Sequence, residues 1–260
     1  MKKYLSMQTK QIKVAMAVAA LAFTSCASHY MVSGVERTRI LVDSTYDANP
    51  DAKAVAFLKP YKAKADSAMN PVVGQAAHDM AARRPESDLS NLLSDILLWA
   101  SVSYGEHPDF AVYNMGGIRA ALSKGNVTFG DVLDVAPFEN KICFLTLTGD
   151  KVEELFKQMA SVGGEGVSRG VNLVITRDGQ LSSANVGGKP IDRNAKYRIA
   201  TIDYLAQGND RMEAFKAKSD FVSPKDKKNN MMFIISDYFR EKQKAGQAVD
   251  SKVEGRIIVE

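Results

Sequence analysis

The chain has 260 residues, 45% of them apolar, with 34 basic and 30 acidic residues and a formal net charge of +4. Lys2, Lys3, Lys10 and Lys13 lie in the first 25 residues, which contain no acidic residue, so the remaining chain is formally neutral. A neutral chain lacks the clustered Lys and Arg that neutralise phosphates, which argues against nucleic acid as a partner. The chain is long enough, and its apolar content is high enough, to bury a hydrophobic core.

Residues 1–25 have the architecture of an export signal. Their lysines precede the apolar run VAMAVAALAF (14–23), which ends at Thr24, Ser25 and Cys26. A membrane-spanning helix needs about 20 apolar residues, so this shorter run predicts a cleaved signal peptide. FTSC resembles a bacterial lipoprotein box, which makes Cys26 the predicted lipidated first residue of an exported protein, anchored to a bacterial membrane on its periplasmic or cell-surface side. The alternative is an ordinary secretory peptide in which Cys26 is incidental.

The first predicted elements follow this segment. Residues 26–50 predict a tether and a first strand, the latter in the alternating stretch MVSGVERTRILVDST. Helical spacing in AVAFLKPYKAKADSAM predicts a helix that Pro60 breaks or kinks. The clearest helix lies in DLSNLLSDILLWASVSYG, where leucines recur on one face, Asp88 is a plausible N-cap and Gly105 closes the helix.

Beyond Gly105, strands and helices alternate loosely. A last helix is predicted to open at Ser223 and Pro224. The other predicted elements are strands at 110–114, 141–149, 171–179, 197–208 and 255–260, a turn and short helix at 127–138, a helix at 149–163 and a hairpin through 187–188. This order predicts an α+β or mixed α/β fold rather than a regular parallel winding. No linker rich in Pro, Gly or Ser divides the sequence, so residues 51–260 are predicted to form one domain.

Three features that could indicate catalysis or phosphate binding have simpler interpretations. GVSRG (166–170) fits the serine hydrolase elbow, but that elbow needs a strand before it and a helix after it, whereas Ser168 follows a glycine loop and precedes a predicted strand. GGEG (163–166) is not followed by G-K-[ST], so it is a helix stop and turn rather than a P-loop. Cys143 lies in an apolar strand-like run and is interpreted as a buried, inert thiol.

Residues far apart in the sequence suggest a ligand pocket. Gly116 and Gly117 allow close approach of a ligand to the backbone, and Arg119 can form paired hydrogen bonds with phosphate or carboxylate oxygens. Phe138, after Pro137, presents a ring that can stack on a flat base, and a later loop adds a second aromatic residue and an acid, Tyr204 and Asp210. Taken singly, such rings are more typical of a core, and such an arginine of a solvated surface.

Five motifs in order carry a family resemblance. They are NMGGIR (114–119), GNVT (125–128), PFEN (137–140), LTG (147–149) and DYLAQGND (203–210). They resemble the motifs of the 5'-nucleotidase family, in its C-terminal, substrate-binding domain. ESDLSNLLSD (86–95) is similar to a further motif of that domain, with Ser90 in place of glycine. The resemblance extends from about residue 80 to GRI (255–257) and implies the layered fold of that domain.

The resemblance implies a site that binds a nucleoside or nucleoside monophosphate. Phe138 and Tyr204 would clasp the base, and Asp210 would bind the ribose hydroxyls. Asn114, Arg119 and Arg83 match family residues that contact the base, the ribose or the phosphate side. The complete predicted site is Arg83, Asn114, Gly116, Gly117, Arg119, Phe138, Asn140, Tyr204 and Asp210. Asn209 and Arg211 replace two glycines of the family's late motif, which puts affinity or specificity in question.

In the family, a separate N-terminal metallophosphoesterase domain holds two metals that activate water. The present sequence has three histidines, His29, His78 and His107, and neither a D-x-H nor an N-H-[DE] motif. The resemblance therefore implies no catalytic residue, cofactor or metal ligand in this chain, which would bind without hydrolysing; divalent metals are expected only in a partner metallophosphoesterase. Two alternatives stay open: a stand-alone nucleoside- or nucleotide-binding surface lipoprotein, and a relic with a decayed pocket.

Overall fold

The computed structural model describes residues 16, 30–41 and 43–260. Apart from Met16, the predicted signal peptide lies outside the described residues, as does Cys26. The chain divides into two units, Met1–Ala54 and Val55–Glu260. Within the described ranges, no helix is long and apolar enough to cross a membrane.

In the first unit, the predicted strand is absent from the described residues. Residues 30–41 have no regular secondary structure and are all exposed. A single 3-10 turn follows at Ser44–Tyr46, where the Asp43 carboxylate caps the turn by accepting a hydrogen bond from the Thr45 amide at 3.0 Å. The prediction was wrong because alternation alone does not make a strand, which also needs a neighbouring strand to pair with and a face to bury.

Six helices follow in the described chain, with bounds that correct three predictions. They are α1 (Ala52–Met69), α2 (Asp88–Ser101), α3 (Phe129–Val135), α4 (Gly149–Ser161), α5 (Asp203–Ala206) and α6 (Met231–Lys244). Helix α1 continues through Pro60 without a break, and none of its residues is buried. Ser87, not Asp88, is the N-cap of α2, because its hydroxyl accepts the Ser90 amide. Helix α6 begins at Met231 rather than Ser223 because Asn230 is still extended (φ −66°, ψ 142°).

The strands form three sheets within Val55–Glu260. They are β1 (Val72–Ala76), β2 (Phe110–Tyr113), β3 (Gly125–Thr128), β4 (Ile142–Thr148), β5 (Gly166–Val167), β6 (Val171–Ile175), β7 (Leu181–Val186), β8 (Lys189–Pro190), β9 (Lys196–Ile202), β10 (Ser219–Val222) and β11 (Ile257–Val259). The sheet orders are β1-β3, β10-β4-β9-β2-β5 and β11-β6-β7-β8. Since β2 and β9 pair in parallel and β4 and β9 antiparallel, the predicted mixed α/β fold is confirmed.

The core of this unit lies between α2 and the five-stranded sheet. The leucine face of α2 is fully buried, as are Phe110 and Val112 of β2 on which the helix packs. The helix ends through a 3-10 turn at Gly105, whose φ of 69° is left-handed and fits the predicted closing glycine. Burying such side chains stabilises the fold by about 1.5–3 kcal/mol each.

The topology of the five-stranded sheet brings three loops together at one end of its strands. Strands β2 and β9 are parallel neighbours, so the loops that follow them leave at the same end. Strand β4 runs antiparallel to β9, with Ile142 opposite Ile202, so the loop that precedes β4 lies there as well. These are the glycine turn (residues 114–119), the late loop (residues 203–211) and the Pro-Phe loop (residues 137–140).

Candidate functional site

A cavity of about 200 Å³ opens where these three loops meet. It is lined by Asn114, Gly116, Gly117, Phe138, Asn140, Tyr204 and Asp210. Every one of these residues belongs to the site predicted from the sequence. These residues come from three loops and lie up to 96 positions apart in the chain, so their convergence is a property of the sheet topology rather than of local sequence.

In the glycine turn, Asn114 follows the end of β2 and is buried. The next three residues, Met115–Gly117, form a 3-10 helix. The Gly117 amide donates to the Asn114 carbonyl at 3.1 Å. A Cβ at Gly117 would lie 2.6 Å from Asn114 Oδ1, closer than real side chains approach, whereas a Cβ at Gly116 would meet Asp210 Oδ2 at an ordinary 3.5 Å. Gly117 is therefore required for packing, and Gly116 keeps the cavity open.

The late loop is closed by hydrogen bonds from its own side chains. The Tyr204 hydroxyl donates a hydrogen bond to Asp210 Oδ1 at 2.9 Å, and Asn114 Nδ2 donates one to Asp210 Oδ2 at 2.6 Å. Asn209 Nδ2 donates to the Tyr204 carbonyl at 2.8 Å. The Asp210 carboxylate thus joins the late loop to the glycine turn, and its hydrogen bond raises the pKa of the Tyr204 phenol.

One of the two positions at which the late loop lacks a family glycine is strained. Arg211 has a φ of 65° and the neighbouring Asp210 a φ of 53°, in the left-handed region that costs non-glycine residues about 1–2 kcal/mol. The hydrogen bonds of Asp210 and of Asn209 compensate for this strain. The substitutions therefore leave a formed loop with Asp210 in the cavity wall, rather than a collapsed one.

The two aromatic residues of the cavity are not core rings. Phe138 is 47% exposed and Tyr204 is 37% exposed, whereas large aromatic side chains of the core such as Phe110 and Phe144 are fully buried. Aromatic faces open to a cavity can stack on a planar ligand. Two hydrogen bonds hold the end of the Pro-Phe loop: the Met231 amide donates to the Asn140 carbonyl at 2.9 Å, and the amide of the next residue, Lys141, donates to the Asp203 carboxylate at 3.0 Å.

The structure does not bring the two predicted arginines into the cavity lining. Arg83 and Arg119 are both exposed. Arg119 lies at the end of the glycine turn, where its guanidinium donates to the Gly116 carbonyl at 3.3 Å.

Sequence reasoning missed one ionisable residue next to the cavity. Glu165 is 2% exposed; its Oε2 accepts the Met115 amide at 2.5 Å and its Oε1 pairs with Arg84. Burial raises the pKa of this carboxyl to about 7, against the opposing effects of the Met115 amide and Arg84. The available signal was an acid between glycines in GGEG, which had been interpreted only as a turn.

Other candidate reactive groups are structural. Ser168 is fully buried and its Oγ accepts the Ala111 amide at 2.8 Å, between β5 and β6 rather than at a strand-to-helix elbow. Cys143 is fully buried, as predicted, and burial raises the pKa of its thiol well above the ordinary value. Among residues 30–41 and 43–260, no cluster of three or more His, Cys, Asp or Glu side chains could hold a metal ion.

Comparisons with known proteins identify the family of this chain. The family "5'-nucleotidase, C-terminal domain" matches residues 72–217, which include every lining residue of the cavity. Protein UshA of Yersinia enterocolitica is 29% identical over 172 residues, which are 64% of this chain and 31% of that protein. A 5'-nucleotidase of Vibrio vulnificus is 27% identical over 223 residues, which are 82% of this chain and 37% of that protein.

Among solved structures, the 5'-nucleotidase precursor of Thermus thermophilus is similar to this chain with a TM-score of 0.64 and 25% identity. That match covers 79% of this chain and 42% of the Thermus chain. The chain spans about a third of the length of the Yersinia and Vibrio proteins. Because the family match covers more than half of the sequence and coincides with the motifs, the chain belongs to the 5'-nucleotidase C-terminal domain family.

Proposed function

We propose that the cavity binds nucleosides and nucleoside monophosphates, with the base between Phe138 and Tyr204 and the ribose hydroxyls at Asp210. The observation that carries this proposal is the convergence of two open aromatic rings, a carboxylate and a glycine turn on one cavity in a member of this family. Stacking of a base on an aromatic side chain contributes about 1–3 kcal/mol, which makes the rings the main source of affinity.

Polar groups around the cavity supply orientation. The Asp210 carboxylate already accepts hydrogen bonds from Tyr204 and Asn114, and each of its oxygens keeps a second lone pair for a ribose hydroxyl. The Asn140 amide can donate to and accept from a base edge. Gly116 and Gly117 let the ligand approach the backbone, and the exposed Arg83 and Arg119 are proposed to contact the phosphate side.

Catalysis is proposed to need a second protein. We infer that this chain is the binding half of a 5'-nucleotidase, acting with a separate metallophosphoesterase whose two divalent metals activate water for hydrolysis of the phosphate ester. The proposal is supported by the family membership and by the absence of the D-x-H and N-H-[DE] motifs from the sequence. Its physiological role would be nucleotide breakdown and salvage.

The location of this activity is proposed from the N-terminal sequence. Signal-peptide cleavage before Cys26 and lipidation of Cys26 would anchor the protein to a bacterial membrane on the periplasmic or cell-surface side. Replacement of Cys26 by alanine should release the protein from the membrane fraction of its native host. Retention of the Cys26→Ala protein in membranes would contradict the lipid anchor.

Calorimetric titration with adenosine and adenosine monophosphate tests the pocket. Phe138→Ala should weaken binding about fivefold or more, since loss of stacking removes about 1–3 kcal/mol. Phe221→Ala is the matched control, because Phe221 is 45% exposed but lies on β10, outside the cavity lining. Equal affinities for the two variants, or the lack of binding by the wild-type chain, would contradict the proposal.

The division of labour is tested by phosphate release. The isolated chain with added divalent metal should hydrolyse no nucleoside monophosphate, and a metallophosphoesterase from the same organism that lacks a binding domain should acquire turnover when this chain is added. Hydrolysis by the isolated chain would contradict the proposal. Binding that the second protein neither alters nor converts to turnover would instead favour the stand-alone nucleoside-binding lipoprotein.

A further inference from the structure

Glu165 lies beside the cavity without lining it, in the loop between α4 and β5. Its side chain joins two segments that are distant in the sequence. One oxygen accepts a hydrogen bond from the amide of Met115, the first residue of the 3-10 helix in the glycine turn. The other oxygen pairs with Arg84, which follows the predicted binding residue Arg83. A buried carboxylate therefore connects the backbone of the glycine turn to the segment that carries Arg83.

Close backbone packing holds this connection in place. Gly164 is left-handed (φ 104°), and a Cβ there would lie 2.5 Å from the Pro85 carbonyl oxygen. A Cβ at Gly166 would lie 2.8 Å from the Tyr113 carbonyl oxygen. The residues on both sides of Glu165 thus lie against Pro85 and against the end of β2, so its carboxylate has little freedom to choose other partners.

Burial and the surrounding charges place the ionisation of Glu165 near neutral pH. Burial raises the pKa of the carboxyl to about 7, the Met115 amide and Arg84 oppose that rise, and Asp210 adds to it by repulsion. Helix α2 presents the uncharged Ser94 hydroxyl next to Gly166. Arg84 is 39% exposed in its side chain, so it can move to solvent if the carboxyl becomes protonated.

We propose that Glu165 is a positioning residue of the pocket: its ionised form holds the glycine turn and the Arg83–Arg84 segment in the binding geometry, and its protonated form releases Arg84 and loosens the turn. This inference rests on the proposed function and adds that pH regulates ligand binding in the same pocket. Ligand affinity should therefore rise with pH through the titration of this single buried group.

Adenosine is the probe for the test, because it has no phosphate group that would titrate over the same range. The wild-type affinity should rise about threefold to tenfold between about pH 6 and about pH 8. Glu165→Gln, which cannot ionise, should bind with little pH dependence. The control Glu106→Gln removes another arginine-paired glutamate, the partner of Arg198 in the first half of β9, and should keep the wild-type profile.

A second variant keeps the test informative if Glu165→Gln does not fold. Arg84→Gln removes a partly exposed partner and leaves the buried acid without its cation, so the midpoint of the affinity profile should move to higher pH. An unchanged midpoint in Arg84→Gln, or a Glu165→Gln profile identical to that of the wild type, would overturn the inference while leaving the proposed pocket intact. Absence of adenosine binding by the wild type at every pH would overturn the proposed function as well.

Thermal unfolding gives a readout that needs no ligand. The folded-state pKa of Glu165, about 7, is raised above its unfolded value, so its contribution to stability is fully present at acidic pH and is lost as the pH rises through about 7. The wild-type melting temperature should accordingly fall relative to that of Glu165→Gln between about pH 5 and about pH 7. A constant difference between the two proteins over this range would contradict the ionisation on which the inference depends.

Discussion

The glycine turn and the late loop face each other across the same cavity but maintain their shapes by different physical means. The glycine turn keeps the family's glycines, and at Gly117 there is no room for a Cβ beside Asn114. The late loop has Asn209 and Arg211 where the family has glycine, and Arg211 and its neighbour Asp210 adopt left-handed backbone conformations. Its shape is maintained by hydrogen bonds that link Asp210 and Asn209 to Tyr204.

The replacement of a motif glycine can therefore have either of two consequences. Where the glycine makes room for a neighbouring atom, as at Gly117, a replacement displaces that neighbour. Where the glycine only eases a positive φ, as at Arg211, the cost is about 1–2 kcal/mol and local hydrogen bonds can offset it. A loop that departs from the family sequence can therefore still form a wall of the cavity.

The largest expected effect comes from Gly117→Ala. The new methyl group would displace the Asn114 side chain and break its hydrogen bond to Asp210, so the free energy of unfolding should fall by about 1–3 kcal/mol and adenosine binding should weaken at least about tenfold. Urea denaturation and calorimetry measure the two effects. Gly116→Ala is the folding control, whose stability should stay within about 0.5 kcal/mol of the wild type; equal losses in both variants would contradict the steric account.

An intermediate effect is expected from Tyr204→Phe, which keeps the ring and removes the hydroxyl that donates to Asp210. Affinity for adenosine should fall about threefold to tenfold, since a typical hydrogen bond contributes about 0.5–1.5 kcal/mol and this one is partly exposed to water. Tyr238→Phe, on α6 and away from the cavity, should bind like the wild type. A Tyr204→Phe protein with unchanged affinity would show that the hydroxyl does not organise the late loop for binding.

The smallest expected effect comes from Arg211→Gly, which relieves a left-handed arginine. The free energy of unfolding should rise by about 0.5 kcal/mol, because the relieved strain exceeds the added entropy of glycine in the unfolded chain. The matched control is Arg177→Gly: Arg177 is also exposed and lies in a turn, but its φ is not positive, so the same substitution should destabilise. If both substitutions destabilise equally, φ strain at Arg211 is not significant.

Much of the fold was predictable because its elements follow strong local rules. The leucine stripe and closing glycine of α2, the apolar run of β4 and the amphipathic spacing of α4 all predicted the elements that the structure contains. The errors lie where local sequence and tertiary context disagree. Residues 31–41 alternate without forming a strand, and the start of α6 is set by the pairing of Met231 with Asn140 rather than by Pro224.

The residues that line the cavity were predictable from the sequence, but their contacts were not. Ordered motifs identified Phe138, Tyr204 and Asp210, and the sheet topology then brought them to one cavity. No sequence pattern could show that Asp210 joins Tyr204 to Asn114, because that contact depends on the conformation of two loops. Glu165 was missed for a related reason, since its importance comes from burial against Met115 and Arg84, and an acid between glycines does not by itself indicate that the acid is buried.

The most direct test of the central claim is a crystal structure of the chain with adenosine bound. The base should lie between the rings of Phe138 and Tyr204, with ribose hydroxyls within about 3 Å of the Asp210 carboxylate. A nucleoside bound elsewhere on the chain, or bound in the cavity with its base away from both rings, would contradict the account.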